Sequence, residues 1–222
     1  MTTHFFSRAR LVGTMRTEPQ LQRWTRHGEA YRDHQLVWKL FDAEPAPRDF
    51  LFRAERLPGG DLVYYVVSSR APHGSPGLFS VQTKPYAPAL RNGEWLRFDL
   101  RANPVVSRTG EDGKEARHDV LMDAKLKADL ESRNEAMEAA GLNWLMKRAQ
   151  GWGLDVASGT VIQSGYAQHR IERKGERLGF SSLDYQGMAK VSDAEALAHA
   201  LLQGVGRAKG FGCGLLLVKR VG

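Results

Sequence analysis

The order of strand-like and helical segments constrains this sequence more than any single motif. A strand-like run at 4–13 precedes an amphipathic helical segment at 29–41, whose apolar residues recur at spacings of three and four. Two strand-like runs then flank the turn Pro58-Gly59-Gly60-Asp61, which is typical of an antiparallel hairpin. The Pro- and Gly-rich segment 71–92 permits a short or degenerate helix, and a strand is predicted at 94–106. The first half therefore follows the order strand, helix, hairpin, uncertain element, strand.

The second half repeats this order. Its predicted elements are a helical region at 122–150 broken near Gly141, strands at 159–172 and 178–191, a helix capped by Ser192 and Glu195, and a strand at 215–218. Strand, helix, hairpin, helix, strand is the βαββαβ order of the ferredoxin-like fold. The sequence thus predicts an α+β protein of two tandem ferredoxin-like domains with antiparallel sheets. The polar stretch 107–118 suits a linker or an exposed loop, which divides the chain into domains at 1–108 and 109–222.

The charge balance favours a polyanionic partner. The chain has 32 Lys and Arg residues against 25 Asp and Glu residues, a formal charge of +7. The alternative is a basic surface that serves solubility alone. The single cysteine, Cys213, cannot form an internal disulfide, no apolar run suggests a membrane span, and the N-terminus lacks the apolar core of a signal peptide. These features predict a cytoplasmic protein without a membrane partner.

A glycine-rich run near the C-terminus is the clearest local signal for a ligand. Five glycines lie between Gly204 and Gly214, with Arg207 and Lys209 among them. Glycine lets a backbone approach a ligand closely, and the cations suggest that this ligand is anionic. The run lacks the Gly-Lys-Ser/Thr of a Walker loop and the sixth-position glycine of a dinucleotide fingerprint. Two interpretations remain: backbone amides and Lys209 face phosphates, or the glycines only permit a tight connection from helix to strand.

Two further features are candidates for chemistry and for binding. Tyr31 and His34 lie three positions apart on the first predicted helix, so their side chains share one edge, although ordinary packing also produces such pairs. The second hairpin is basic near its tip, where cations can contact phosphates or simply keep the tip soluble. These cations are Arg170, Arg173, Lys174 and Arg177. The histidines are scattered and no His, Cys and carboxylate cluster has metal-ligand spacing, so neither a metal nor a cofactor is predicted.

Four segments together resemble the CasE-type CRISPR endoribonuclease family of the RAMP superfamily, the repeat-RNA processing subunits of type I-E Cascade. They are Tyr31-Arg-Asp-His34, Arg48-Asp-Phe-Leu-Phe52, Leu100-Arg-Ala-Asn-Pro104 and the run from Gly204 to Leu216. The resemblance implies tandem ferredoxin-like domains that bind the repeat hairpin of CRISPR precursor RNA. It further implies one cut at the 3′ base of the stem, without metal, leaving a 2′,3′-cyclic phosphate. The protein would then retain the mature CRISPR RNA and join the other Cascade subunits.

The resemblance also assigns roles to individual residues. His34 is the general acid/base, most simply protonating the departing 5′-oxygen, and Tyr31 orients the phosphate or assists proton transfer. Lys39 occupies the position of an active-site lysine in some relatives, but an ideal helix sets it about 140° from His34, so this role requires a distorted helix or a long reach. The predicted RNA-binding residues are Arg101, Arg170, Arg173, Lys174, Arg177, Arg207 and Lys209. The alternatives are a non-catalytic RNA-binding subunit of the same superfamily and a ferredoxin-like module unrelated to RNA.

Overall fold

The computed structural model describes residues 3–14, 16–41, 47–109, 113–173 and 176–221. The first unit is a four-stranded antiparallel sheet with a helical layer on one face. Its elements are β1 (His4–Leu11), α1 (Gln20–Thr25), α2 (Glu29–Trp38), β2 (Phe50–Arg56), β3 (Leu62–Ser68) and β4 (Phe79–Tyr86), with the strands in the spatial order β2-β3-β1-β4. Leu36 and Val37 of α2 pack with Phe52 and Tyr64 of the sheet in one closed core. This core fixes α2, the helix that carries Tyr31 and His34.

The fourth strand of this sheet is not the one that the sequence predicted. The strand β4 lies within the segment expected to hold a short helix, and the chain between β3 and β4 contains no helix. Of its eight side chains only that of Phe79 is buried, because β4 lies at the sheet edge. An edge strand also tolerates Pro85, since the missing N–H can face away from the ladder. The strand therefore offered no clear period-two pattern.

The second unit contains a five-stranded antiparallel sheet with the same underlying order. Its elements are β5 (Trp95–Ala102), β6 (Val105–Thr109), β7 (Glu115–Asp119), α3 (Val120–Lys127), α4 (Arg133–Ala149), β8 (Leu154–Val156), β9 (Ile162–Arg173), β10 (Glu176–Val191), α5 (Ala194–Gln203) and β11 (Leu216–Arg220). The strand order is β11-β5-β10, and β9 and β8 both pair with β10. Strand β5, two hairpin strands and β11 thus reproduce the arrangement of the first sheet, and the predicted fold class is confirmed.

The predicted boundary between residues 108 and 109 does not match this strand pairing. Strand β5 pairs with β10 and β11, so it belongs to the second sheet. The polar stretch predicted as a linker or loop forms much of the β6–β7 hairpin, which lies inside the second unit. We therefore propose that the division lies between Tyr86 and Trp95, where the chain passes from one sheet to the other.

Two helix boundaries also differ from the prediction. The break in the long helical region falls between Lys127 and Arg133, and α4 continues through Gly141. The N-cap of α5 is Asp193, whose carboxylate accepts hydrogen bonds from the backbone amides of Glu195 and Ala196, both at 3.0 Å. An aspartate satisfies these first-turn amides as well as the predicted serine would. Within the described ranges, none of the helices has the length and apolar character needed to span a membrane.

The two units meet through one apolar and one charged contact. Leu51 and Val67 of the first sheet pack against Leu215, which directly precedes β11. Beside them, the guanidinium of Arg53 is 3% exposed and forms ion pairs with Glu55 and with Asp99 of β5. The ion pair and the apolar cluster therefore hold β2 against the second sheet, which brings α2 close to the elements of the second unit.

Candidate active site and RNA-binding surface

The helix α2 is pressed against the basic hairpin β9–β10 at its first turn. Its N-cap is Gly28, with φ 104°, a backbone conformation that side-chain-bearing residues rarely adopt. A Cβ atom at this position would lie 2.6 Å from the carbonyl oxygen of Arg170 on β9. Position 28 therefore requires glycine for two reasons, its positive φ angle and the close approach of the Arg170 carbonyl oxygen. The consequence is that the first turn of α2 is fixed directly to the second unit.

The rear of α2 is anchored by a buried polar cluster. The carboxylate of Asp33 accepts a hydrogen bond from the hydroxyl of Tyr64 on β3 at 2.8 Å and forms an ion pair with Arg32 at 2.8 Å. Asp33 points into the first unit, whereas His34 follows it on the helix and turns toward the second. Fixing Asp33 therefore sets the rotation of α2 about its axis, and with it the direction of the His34 side chain.

His34 is half-buried and bonded at both ring nitrogens. Its Nδ1 donates to the carbonyl oxygen of Gly210 at 2.7 Å, and its Nε2 accepts from the indole Nε1 of Trp38 at 3.1 Å. Gly210 belongs to a 3₁₀ turn at Lys209–Phe211, in the middle of the glycine-rich run. The ring of Phe211 lies 5.6 Å from the imidazole. The structure thus joins two motifs that the sequence analysis treated separately, the glycine-rich run and the Tyr-x-x-His pair.

Two cations stand close to this histidine. A Cβ atom on Gly210 would be 3.9 Å from both the Nε of Arg48 and the imidazole of His34. Burial lowers the pKa of Arg48, and burial together with the charge of Arg48 lowers the pKa of Lys209. Arg48 donates a hydrogen bond to the carbonyl of Phe50, and the Nζ of Lys209 donates to that of Gln203 at 2.9 Å. Both lowered pKa values reflect mainly the loss of solvation of the two cations, which a bound anion would compensate.

Arg48 was not among the predicted site residues. The sequence carried a signal for it, because Arg48 opens one of the four segments that support the family resemblance. Its proximity to His34 arises from the packing of the β2 entry against the glycine-rich run, a contact between residues more than 150 positions apart. Such a contact is not visible from local patterns.

Tyr31 and Lys39 occupy different surroundings on the same helix. The ring of Tyr31 meets that of His27 edge-on at 5.3 Å, and Nδ1 of His27 donates to the carbonyl of Glu172 on β9 at 2.7 Å. Tyr31 therefore faces the second unit, one turn before His34. Lys39 is the exposed C-cap of α2, and its backbone remains helical at φ −69° and ψ −9°. The helix lacks the distortion that would turn Lys39 toward His34, so an active-site role requires a long reach and stays a prediction.

A row of rings leads from His34 along the hairpin. Phe211 stacks on Phe180 at 5.5 Å, and Phe180 stacks on His169 at 4.5 Å. His169 forms a hydrogen bond through Nε2 with the hydroxyl of Ser182 at 2.8 Å, and burial, helped by the charge of Arg101, lowers its pKa. A neutral, stacked His169 adds an apolar wall to the surface beside the hairpin. Flat apolar walls of this kind suit the faces of nucleic-acid bases.

These rings border an open cleft of about 640 Å³ between the hairpin, the glycine-rich run and the β6–β7 hairpin. Three arginines lie at its edge, Arg117, Arg170 and Arg207, and all three are exposed. Two of the predicted RNA-binding residues are thus brought together at one surface, next to Lys209 and His34. Arg173 and Arg177 lie on the paired ends of β9 and β10, but their side chains, and the whole of Lys174, are outside the described residues.

The predicted RNA-binding residue Arg101 is engaged within the protein. Its Nε and Nη2 both donate to the carboxylate of Asp184 at 2.7 Å, and its Nη1 donates to the carbonyl of Ala54 at 3.0 Å. Asp184 lies on β10 and Ala54 on β2, so the guanidinium joins the two units. The amide of Asn103, from the same motif, donates to the carbonyl of Ser181 at 2.7 Å. In the structure, the Leu-Arg-Ala-Asn-Pro segment supports the junction beneath the hairpin.

The described side chains contain no cluster suited to a metal ion. Among them, no group of three or more His, Cys, Asp and Glu residues comes together with the geometry of a ligand set. The thiol of Cys213 is fully buried, which raises its pKa to about 12. A thiol in this state is not available as a nucleophile near neutral pH. The chemically useful groups at the site are accordingly the imidazole of His34, the phenol of Tyr31 and the two cations.

Comparisons with known proteins agree on one family. A family model described as "CRISPR associated protein" matches residues 5–220. The CRISPR system Cascade subunit CasE of Escherichia coli K12 is 29% identical over an alignment of 205 positions, which covers 87% of this chain and 92% of that protein. The structure of the CRISPR endoribonuclease Cse3 bound to a 19-nt RNA superimposes with a TM-score of 0.72 at 25% identity, covering 97% and 99% of the two chains. The crystal structure of Escherichia coli Cas6e gives 0.67 at 26% identity, covering 98% and 100%.

Proposed function

The chain belongs to the family of CRISPR associated proteins, and from that premise we propose that it is an endoribonuclease that binds the CRISPR repeat hairpin and cleaves the precursor RNA. One observation carries the proposal: His34 is held by the glycine-rich run, beside Arg48 and Lys209, at the edge of an arginine-lined cleft. A proton-transfer group, positive charge and a polyanion-binding surface therefore meet at one place.

The reaction uses the nucleophile that RNA carries itself. The 2′-oxygen of the nucleotide before the cut attacks the adjacent phosphorus, the bond from phosphorus to the 5′-oxygen breaks, and a 2′,3′-cyclic phosphate remains. The 2′-hydroxyl loses one proton and the departing 5′-oxygen gains one, so the step is balanced. His34 exchanges a proton with these oxygens, and in its simplest role it protonates the 5′-oxygen. Tyr31 orients the phosphate.

Arg48 and Lys209 stabilise the charge that develops on the phosphoryl oxygens. Cations placed in advance near a developing oxyanion lower the barrier more than mobile ions in water, because they need not reorganise during the step. Their partial burial in the free protein supports this role, since a bound phosphate would replace solvation that both charges have lost. Each step of this mechanism uses groups of the protein or the RNA, and a metal ion is not required.

The arginine-lined cleft and the basic hairpin bind the RNA stem. The deep major groove of A-form RNA offers side chains little access to base edges, so recognition depends on phosphates, stem shape and bases near the cut. Arg170, Arg207 and Arg117 at the cleft contact phosphates, together with Arg173, Lys174 and Arg177 at the hairpin tip. The row formed by His169, Phe180 and Phe211 offers an apolar wall to a base next to the cleaved phosphate.

After cleavage the protein keeps the mature CRISPR RNA and joins the other subunits of Cascade, in the cytoplasm where that complex acts. This part of the proposal follows from the relatives. One of them is a named Cascade subunit, and the match covers 92% of its length. A stable product complex is compatible with a protein that acts once on each RNA and then serves as a component of the assembly.

Cleavage of the cognate repeat RNA in EDTA is the decisive experiment. We expect one cut and a 2′,3′-cyclic phosphate, both unaffected by the chelator. The matched control is the same RNA with a 2′-deoxy nucleotide before the cut, which should bind equally well and stay intact. Tight binding without cleavage of the unmodified RNA would favour the alternative of a non-catalytic RNA-binding subunit. Cleavage of the 2′-deoxy RNA, or loss of cleavage in EDTA, would contradict the mechanism.

A further inference from the structure

The hydrogen bond between Trp38 and His34 has a chemical consequence of its own. The two residues lie four positions apart on α2, so their side chains are neighbours on one face of the helix. The indole Nε1 of Trp38 is 3.1 Å from the Nε2 of His34. The indole meets the ring of Phe50 edge-on at 4.9 Å, which holds its plane. The contact with Phe50 therefore helps to aim the donor at the imidazole.

The two partners of His34 together select one protonation state. A backbone carbonyl can only accept a hydrogen bond, so the Nδ1 of His34 must carry the proton that it shares with Gly210. An indole N–H can only donate, so the Nε2 of His34 must offer its lone pair to Trp38. Only the neutral imidazole with the proton on Nδ1 satisfies both bonds. Protonation of Nε2 breaks the bond with Trp38 and leaves the bond with Gly210 intact.

We propose that Trp38 is a positioning residue that covers the Nε2 of His34 in the RNA-free protein and yields this nitrogen to the RNA. The inference rests on the proposed catalytic role of His34. Because Nδ1 is committed to Gly210, Nε2 is the nitrogen that meets the reacting oxygens. In the RNA-free protein, Trp38 keeps that nitrogen unprotonated and correctly directed. When the RNA replaces the indole as its partner, Nε2 takes up a proton from solvent and delivers it to the departing 5′-oxygen.

The charged groups around the imidazole act in the same direction. Arg48, which precedes β2, lies beside the same Gly210 turn as the imidazole, and Lys209 precedes Gly210 in the chain and is near Arg48. Both cations disfavour a positive charge on the ring. On α2 itself, the carboxylate of Asp33 is directed away, toward Arg32 and Tyr64. The contribution of the Trp38 hydrogen bond to the resting state of His34 can be separated from that of these charges by substitution.

Nitrogen-15 NMR of the RNA-free protein tests the hydrogen bond directly. The indole N–H resonance of Trp38, identified by its loss in Trp38→Phe, should move with pH in step with the imidazole of His34, because protonation of Nε2 breaks the bond. Trp38→Phe keeps an aromatic ring against Phe50 but removes the donor. The midpoint of the His34 titration should then rise by roughly half to one pH unit, which corresponds to the net worth of one hydrogen bond. Trp24→Phe, in the same core, is the matched control and should leave the titration unchanged.

Two further readouts connect the bond to catalysis. Binding of repeat RNA with a 2′-deoxy nucleotide before the cut should shift the Trp38 indole resonance. In Trp38→Phe, the pH profile of the single-turnover rate at subsaturating protein, which reports the free protein, should move upward, whereas the profile at saturating protein should stay in place. The proposal would be overturned if the Trp38 indole resonance did not move as His34 titrates. It would also be overturned if His34 titrated with the same midpoint in Trp38→Phe as in the parent protein. A protein that binds no repeat RNA would instead contradict the proposed function, while the titration of the free protein would still decide whether Trp38 acts on His34.

Discussion

Nδ1 of His34 donates a hydrogen bond to the carbonyl oxygen of Gly210 at 2.7 Å, and this bond joins the two halves of the molecule at the site of the proposed chemistry. His34 lies on a helix of the first unit, and Gly210 lies in the glycine-rich run of the second. Neither unit alone presents the histidine in this orientation. In the proposed mechanism, the glycine-rich run therefore places an acceptor for His34, and it brings Lys209 and Arg207 to the proposed RNA surface.

Replacing His34 should abolish cleavage and spare binding. In His34→Ala we expect the single-turnover cleavage rate to fall by about 10²–10⁴-fold, the range for loss of a positioned acid or base. The dissociation constant for repeat RNA should change little, because an imidazole adds little to a binding energy dominated by phosphate contacts. Rapid-quench kinetics and a gel-shift titration measure the two quantities. His199→Ala, an exposed histidine on α5, is the control, and an active His34→Ala variant would remove His34 from the mechanism.

Arg48 should contribute to the rate and not to RNA affinity. Arg48→Met keeps the length and apolar stem of the side chain but removes the charge near the phosphate. We expect the single-turnover cleavage rate at saturating protein, measured by rapid quench, to fall by about 10²–10³-fold, as for loss of one preorganised oxyanion donor. Arg91→Met, at an exposed position in the connection between the sheets, removes the same charge elsewhere and should retain full activity. An equal loss of activity in both variants would show that only the net charge matters.

Gly28 should be intolerant of any side chain. Alanine at this position must adopt φ 104° and place its Cβ 2.6 Å from the carbonyl of Arg170. We expect Gly28→Ala to lower the free energy of unfolding by about 2 kcal/mol, the scale of such backbone strain, and to slow cleavage because α2 moves away from β9. Urea unfolding measures the first effect. Gly59→Ala is the matched control, because a Cβ atom there would meet no atom within 4 Å. Equal stability of the two variants would contradict the close docking of α2.

The arginines at the cleft should contribute to the salt dependence of RNA binding. If Arg170 and Arg207 contact phosphates, the double alanine variant releases fewer counterions on binding, and the slope of log K against log salt should decrease by about 0.7–0.9 for each lost contact. Fluorescence anisotropy at several salt concentrations measures this slope. Lys125→Ala with Lys147→Ala removes two exposed charges from α3 and α4 and should weaken binding without the same change in slope. An unchanged slope in the arginine variant would place the RNA elsewhere.

The sequence predicted most of the architecture because the fold depends on element order. Strand, helix and hairpin patterns identified both ferredoxin-like units, since buried strands and amphipathic helices leave strong local signals. Strand β4 was missed, because its side chains are mostly exposed at a sheet edge and Pro85 interrupts it. That omission displaced the predicted boundary, because β5 was then assigned to the first sheet instead of the second.

The candidate site was predicted residue by residue but not as an assembly. The sequence analysis selected Tyr31, His34 and Lys209 one by one, and their roles stay predictions. The bond from His34 to Gly210 spans 176 positions and has no local signature. Arg48 was missed for the same reason. Arg101 shows that a local pattern can also suggest a contact with RNA where the side chain is engaged within the protein. A basic residue in a motif suggests RNA binding, but its partner Asp184 is identified only once β5 is paired with β10.

Arg101 should therefore matter for stability more than for the electrostatics of binding. Arg101→Met removes a bidentate ion pair with Asp184 and the bond to Ala54 that joins the units. Hydrogen bonds to charged groups contribute about 1.5–3 kcal/mol, so we expect the free energy of unfolding to fall by about 2–3 kcal/mol. The salt slope of RNA binding, measured under conditions where the variant is folded, should equal that of the parent. The variant Arg101→Met with Asp184→Leu should recover part of the stability, because it leaves no unpaired carboxylate at the junction. A reduced salt slope with unchanged stability would show instead that Arg101 contacts the RNA, as the sequence alone predicted.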